Sequence, residues 1–210
     1  MCEKKPDIIL FTGFLGSGKT TMLLKTVKLL AAENKKCAII VNEIGEVGID
    51  NRQMRKLGYD VLDIFGGCVC CTLKVTLEAT INHLLTEYDG LDYILFEPSG
   101  MADPASMYPS MENCGYTPED IRNVFIFDPL RVDLYRVRLN SLLRSSLGLA
   151  RAVVINKIDE APECAVREAE GMVRELEDRL PVFKMDVSTG LTPAFKTYLV
   201  RKAGENNVSK

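Results

Sequence analysis

Short apolar runs recur along the chain, separated by segments of helical period. Ile8 to Phe11, Cys37 to Val41, Val61 to Phe65, Tyr93 to Phe96, Val124 to Phe127, Val153 to Ile155 and Val182 to Met185 read as strands. They are nearly continuous in apolar residues, as strands covered on both faces should be. The clearest helix runs from about Pro162 to Leu180. Val166, Ala169, Val173, Leu176 and Leu180 share one face, with Arg, Glu and Asp on the other. Pro162 suits its first turn. The β-α alternation predicts an α/β fold: a doubly wound, mostly parallel sheet of about seven strands flanked by helices. Ligands are then expected at the carboxyl ends of the strands.

Two segments escape the alternation. Met101 to Asp120 carries Pro104, Pro109, Gly115 and Pro118 with little periodicity, so it reads as partly helical or as a functional loop. The tail from Arg201 to Lys210 is polar and reads as frayed. The pattern accounts for one domain over residues 1–200 and a tail over 201–210, with no second C-terminal domain expected.

Composition narrows the function classes. Lys and Arg number 26 against 29 Asp and Glu, a net charge of −3. That bias is too weak to suggest a nucleic-acid or membrane partner. No apolar run approaches the roughly 18 residues a membrane helix needs, and no signal peptide is evident. The expected location is the cytoplasm. There are 7 cysteines, an odd count in a chain that is not small, so a disulfide framework is not expected. Four are scattered. Three crowd into Cys68-Val69-Cys70-Cys71.

Gly13-Phe14-Leu15-Gly16-Ser17-Gly18-Lys19-Thr20 satisfies the phosphate-loop pattern at every fixed position, after a strand and before a helix. Gly13, Gly16, Ser17 and Gly18 let backbone N–H groups curl around phosphate oxygens, and the helix N-terminus adds the positive end of its dipole. Lys19 should reach the β- and γ-phosphates. Thr20 should ligate Mg²⁺, with Thr21 beside it on the nucleotide. Tyr93-Ile94-Leu95-Phe96-Glu97 is a strand ending in a carboxylate, and Glu97 is the candidate for holding Mg²⁺ through water or orienting the attacking water. Asn156-Lys157-Ile158-Asp159 follows another strand. An Asp carboxylate can accept both N1–H and the exocyclic amine of guanine, a donor pair that adenine lacks, so GTP is expected over ATP. Ser188, in Asp186-Val187-Ser188-Thr189-Gly190, is placed to close over the base.

The thiols follow a strand and precede a helix beginning near Leu73. In an extended segment Cys68 and Cys70 point one way and Cys71 the other. Three thiolates leave a four-coordinate zinc site one ligand short, so a fourth ligand comes from elsewhere or the site stays open. Soft thiolates favour Zn²⁺ or Cu⁺ over Mg²⁺. The segment Asn42 to Asp50 supplies candidates. Glu43 could touch the nucleotide's Mg²⁺ and so serve catalysis with Lys19 and Glu97, while Glu46 could be the fourth transition-metal ligand. The sole histidine, His83, lies on the helix after the thiols and reads as a surface or packed residue. Met101, Met107 and Met111 read as adaptable packing or a partner surface rather than as ligands. A vicinal pair cycling through a disulfide, or buried structural cysteines, are the other readings of the cluster.

The ordered set Gly-Phe-Leu-Gly-Ser-Gly-Lys-Thr-Thr, Asn-Glu-x-Gly-Glu-Val-Gly-Ile-Asp, Gly-Gly-Cys-Val-Cys-Cys, Glu-Pro-Ser-Gly-x-Ala-Asp-Pro and Asn-Lys-Ile-Asp resembles the CobW family of P-loop GTPases, of the SIMIBI class, related to HypB and MeaB. The resemblance spans residues 8 to about 200. It implies a P-loop NTPase fold, slow GTP hydrolysis with Mg²⁺, and a transition metal on Cys68, Cys70 and Cys71. That metal would be Zn²⁺, or Co²⁺ or Ni²⁺, with nucleotide state controlling its hold and release. It also implies a metallochaperone or insertase with a client metalloprotein, and a possible homodimer. The second reading is a nucleotide-gated accessory protein for a corrinoid enzyme, with the cysteines in a partner interface or a redox role. A small-molecule kinase using ATP is disfavoured by Asn156 to Asp159. Typical members carry a further C-terminal domain, often after a histidine-rich stretch, and features borne by that domain are not carried over to this chain.

Overall fold

The structure, a computed structural model, describes residues 5–41, 61–63, 71–100 and 102–201, with 61–63 and 71–76 described as backbone. Among the described residues, seven strands form one sheet: β1 (Asp7–Thr12), β2 (Cys37–Val41), β3 (Val61–Asp63), β4 (Tyr93–Glu97), β5 (Ile121–Phe127), β6 (Ala152–Ile155) and β7 (Val182–Lys184). The order is β3-β2-β4-β1-β5-β6-β7, and every pairing is parallel. The winding reverses at β1, which has β4 on one side and β5 on the other. Successive residues of β1 therefore feed opposite faces.

On one face, Ile9, Phe11, Ile39, Leu95, Val124, Ile126 and Val154 pack against helix α1 (Lys19–Ala32) and the last helix, whose Phe195 and Leu199 are fully buried. On the other, two cores lie side by side. Ile8, Leu10, Ile40 and Phe96 meet Leu77, Ile81 and Leu84 of α2 (Cys71–Glu87) and Met111 of α3 (Tyr108–Asn113). Phe125, Phe127, Val153 and Ile155 meet α4 (Val132–Val137), α5 (Asn140–Gly148) and α6 (Glu163–Leu176). The last helix is α7 (Pro193–Val200).

Two boundaries differ from the pattern, and one open reading resolves. β5 begins at Ile121 because two polar residues inside it are satisfied rather than solvated. Asn123 Oδ1 accepts from Thr12 Oγ1 at 2.7 Å and its Nδ2 donates to Leu149 O at 3.2 Å. Arg122 donates to the carbonyls of Leu199 and Arg201. α6 is shorter than expected, with Pro162 as its N-cap residue and Leu176 as its last. Glu177 leaves the helical conformation, and Arg174 Nη1 donates to the carbonyls of Asp178 and Leu180, at 2.8 Å each, holding a non-helical run into Pro181. The segment from 102 to 120 is partly helical: a 3₁₀ turn at Pro104–Ser106, then α3. Met107 and Met111 are buried against α2, which makes them packing residues; Met101 lies outside the described residues.

Candidate functional site

A cleft of about 550 Å³ opens at the carboxyl ends of β1, β4 and β6. Leu15, Gly16, Gly18, Lys19, Thr20 and Thr21 form its floor. The turn from β1 into α1 needs glycine for two separate reasons. At Gly13, φ is 138°, and a Cβ would stand 2.4 Å from the Ile126 carbonyl of β5. At Gly18, which caps α1 with φ 104°, a Cβ would stand 2.3 Å from Asn156 Nδ2. Phe14 anchors the loop from below, its ring 4.8 Å from that of Tyr135 and 5.9 Å from that of Phe125. That anchor carries no mark in the phosphate-loop pattern, where its position is free.

Lys19 is buried, its Nζ 3.3 Å from the Phe14 carbonyl. Thr20 Oγ1 donates to Glu97 Oε1 at 2.9 Å, so the first helical turn of α1 touches the end of β4. Ser17 is buried, and its Oγ has no hydrogen-bond partner among the described residues. The paired hydroxyl and carboxylate oxygens beside Lys19 are hard donors of the kind Mg²⁺ takes.

The far wall belongs to the loops after β6 and β7. Asn156 Nδ2 donates to Ser17 O at 2.8 Å, and its Oδ1 accepts from Val187 N–H at 2.9 Å. One amide thus ties the phosphate loop to both distal loops. Lys157 adopts φ 55° and lines the cleft. Ser188 lines it too, with its N–H and hydroxyl both donating to Asp186, at 2.8 and 2.7 Å. The Ser188 hydroxyl in particular holds the Asp186 carboxyl below the usual carboxylate range. Asp159 is exposed at the rim, within reach of Asp186, while its neighbour Glu160 lines the cleft.

Of the expected site residues, the structure brings together Gly13, Gly16, Ser17, Gly18, Lys19, Thr20, Thr21, Glu97, Asn156, Lys157 and Ser188, with Asp159 at the edge. Glu43, Glu46, Cys68 and Cys70 lie outside the described residues. Cys71 is the first residue of α2. His83 is exposed on that helix, 12 positions on. That is about 18 Å along the axis from Cys71 at 1.5 Å per residue, too far to share a metal. Among the described residues, no group of three or more His, Cys, Asp or Glu side chains is placed to hold a metal ion. Among them, too, no helix is long and apolar enough to cross a membrane.

Two residues that the pattern reading passed over stand against the site. Asp128, after β5, accepts from Lys157 Nζ at 2.8 Å. Arg131 Nη1 donates to Leu15 O at 2.8 Å. An acidic residue at the carboxyl end of an apolar strand was the available signal for the first, as it had been for Glu97.

Residues 7–184 match the family described as CobW/HypB/UreG, nucleotide-binding domain. Zinc chaperone YeiR of Escherichia coli is 38% identical over 154 residues, which cover 71% of this chain and 46% of that protein. Zinc-regulated GTPase metalloprotein activator 1 of Saccharomyces cerevisiae is 31% identical over 209 residues, covering 86% of this chain and 48% of that one. The chain spans about half the length of these curated relatives. Among solved structures, the hydrogenase maturation factor HypB of Archaeoglobus fulgidus has a TM-score of 0.63 at 20% identity, covering 92% of this chain and 87% of that one. FtsY of Thermotoga maritima has a TM-score of 0.63 at 16% identity, covering 96% and 70%. At such identities the likeness is one of fold, the P-loop NTPase fold.

Proposed function

The chain belongs to the CobW/HypB/UreG family of nucleotide-binding domains, and on that premise we propose that it is a GTP-hydrolysing metallochaperone domain whose cargo is a transition metal, Zn²⁺ foremost. The observation that carries the reading is the Asn156 bridge, 2.8 Å to the phosphate loop and 2.9 Å to the loop after β7. It joins a guanine-type motif and a phosphate-type motif in one cleft. The zinc chaperones among the curated relatives support the choice of cargo.

In this reading the amides of residues 13–20 and the Lys19 ammonium bind the phosphates. Lys19 exchanges its contact with the Phe14 carbonyl for phosphate oxygens. Thr20 and Glu97, with Glu43 joining them, would hold Mg²⁺, which when bound supplies charge neutralisation on the phosphates. Glu97 also orients the attacking water. Asp159 accepts the guanine donors and Ser188 closes over the base. Cys68, Cys70 and Cys71 hold the cargo metal, with Glu46 as the fourth ligand. A client metalloprotein receives it.

Two measurements on the same preparation test this. GTP turnover should fall at least about a hundredfold in Thr20→Ala and Glu97→Gln, the scale of losing a positioned charge-stabilising group. Zinc content after anaerobic purification should drop to background in the Cys68→Ser/Cys70→Ser/Cys71→Ser variant. Turnover of ATP in preference to GTP would overturn the nucleotide assignment, and full zinc content without the three thiols would overturn the cargo site.

A further inference from the structure

Asp128 has no part in the reading above, and its surroundings are unusual for a carboxylate. Its side chain is 1% exposed. Oδ1 accepts the Leu130 N–H at 3.1 Å, capping the short turn Pro129–Arg131. Oδ2 accepts from Lys157 Nζ at 2.8 Å and lies 3.6 Å from Arg131 Nε. Its own backbone N–H donates to the Tyr135 hydroxyl at 3.4 Å. A carboxylate this buried is tolerated only when charge and hydrogen bonds compensate it. Here both compensating cations belong to the nucleotide cleft or its rim.

Each cation is then fixed at a useful place. Lys157 lines the cleft, next to the bridging Asn156, and holds a backbone φ of 55° that a non-glycine residue seldom adopts. With its ammonium tethered to Asp128, its methylene stem stays along the base end of the cleft. Arg131 donates from Nη1 to Leu15 O at 2.8 Å, and its Nη2 stands 3.1 Å from where a Cβ on Gly16 would lie. Its guanidinium therefore braces the outer rim of the phosphate loop. Left untethered, both long side chains would sample many rotamers and would have to be ordered each time a nucleotide bound.

We propose that Asp128 is a positioning residue for the nucleotide, one buried carboxylate that preorganises Lys157 at the base end of the cleft and Arg131 against the phosphate loop. The proposal rests on the guanine-nucleotide reading of the cleft. It places the coupling between base recognition and phosphate-loop geometry in a residue outside both motifs.

A double-mutant cycle with a fluorescent GDP analogue tests it on the full chain at fixed salt. Asp128→Asn and Lys157→Met should each weaken binding about tenfold, or about 1.4 kcal/mol. The double variant should fall well short of the product of the two single losses, because in Lys157→Met only the Arg131 tether is left for Asp128→Asn to break. Losses that multiply to about a hundredfold would make Asp128 a structural cap rather than a positioning group, and would overturn the proposal. So would unchanged affinity in Asp128→Asn. Lys157→Arg keeps a cation within reach of Asp128 and does not disturb the buried carboxylate. It should stay within about threefold of wild type, and binding as weak as Lys157→Met would also overturn the tether. The wild type measured with the ADP analogue separates the two readings. Preference for ADP removes the guanine assignment and this proposal together, whereas preference for GDP with a multiplicative cycle removes this proposal alone.

Discussion

Cys37 lies at the start of β2, close to Asp92, and shows how burial sets chemistry at the scale of one residue. Burial, and then the Asp92 carboxylate, push its thiol from 9.0 up to about 11. The folded state thus prefers the neutral thiol. The stability this contributes is present below 9.0 and is lost as pH rises through about 11. At pH 8 the nucleophilic thiolate is scarce. In native protein, iodoacetamide should therefore modify the exposed Cys164 well before Cys37, as read by mass spectrometry of labelled peptides. Equal labelling rates would contradict the burial. The residue scale is also where pattern reading was most uneven. Lys19, Thr20 and Asn156 stand out because each sits in a motif of fixed residue types at fixed spacing. Asp128 and Phe14 do not, because burying a carboxylate or anchoring a loop with a ring demands a neighbourhood rather than a spacing.

At the scale of elements, the join between β1 and α1 decides the geometry of the cleft. Gly18 caps α1 in the left-handed region, in contact with the Asn156 amide. Gly18→Ala forces a strained φ and pushes Asn156 off Ser17 O. It should cost about 1–3 kcal/mol in denaturant unfolding, and guanine-nucleotide affinity should fall by more than about tenfold on isothermal titration. Wild-type affinity would mean that the Asn156 bridge is dispensable. The helix α2 carries a second lesson. It runs from Cys71, through Leu77, Ile81 and Leu84 in the core, to Glu87. The apolar face was predictable; the rigid separation of Cys71 from His83 follows only from the helix itself. The irregular stretch after Met101 was ambiguous because Pro104 and Pro109 each sit at the first or second position of a short helical turn, where the missing N–H costs nothing.

For the whole molecule, the parallel sheet puts all strand carboxyl ends on one edge, and that edge gathers groups far apart in the chain. Thr20 meets Glu97, and Asn156 meets Ser17. β2 and β3 end on the same edge, and Val41, the last residue of β2, lines the cleft; Glu43, Glu46, Cys68 and Cys70 lie outside the described residues. The family resemblance implies that nucleotide state controls the hold on the cargo metal. Zinc affinity, measured by chelator competition, should differ at least about tenfold between the GDP form and the form with a non-hydrolysable GTP analogue. Equal affinities would sink the coupling while leaving a static metal site standing.

The sequence by itself determined the α/β alternation, six of the seven strand positions to within a residue or so at the described ends, the phosphate loop and the guanine-type motif. Each is a local demand: apolar runs for strands covered on both faces, glycines where backbone must approach a ligand, amide and carboxylate for a base edge. Only the tertiary structure decided the strand order, the depth of β5 and the company of Asp128. Strand order depends on which crossovers close, which no single segment encodes. Arg122 and Asn123 could join a buried strand only because Leu199, Arg201, Thr12 and Leu149 supply their partners from elsewhere in the chain. Asp128 could be buried only because Lys157 and Arg131 converge on it. In each case the polar group's cost is met by a partner distant in sequence, and its effect is legible only once the chain is folded.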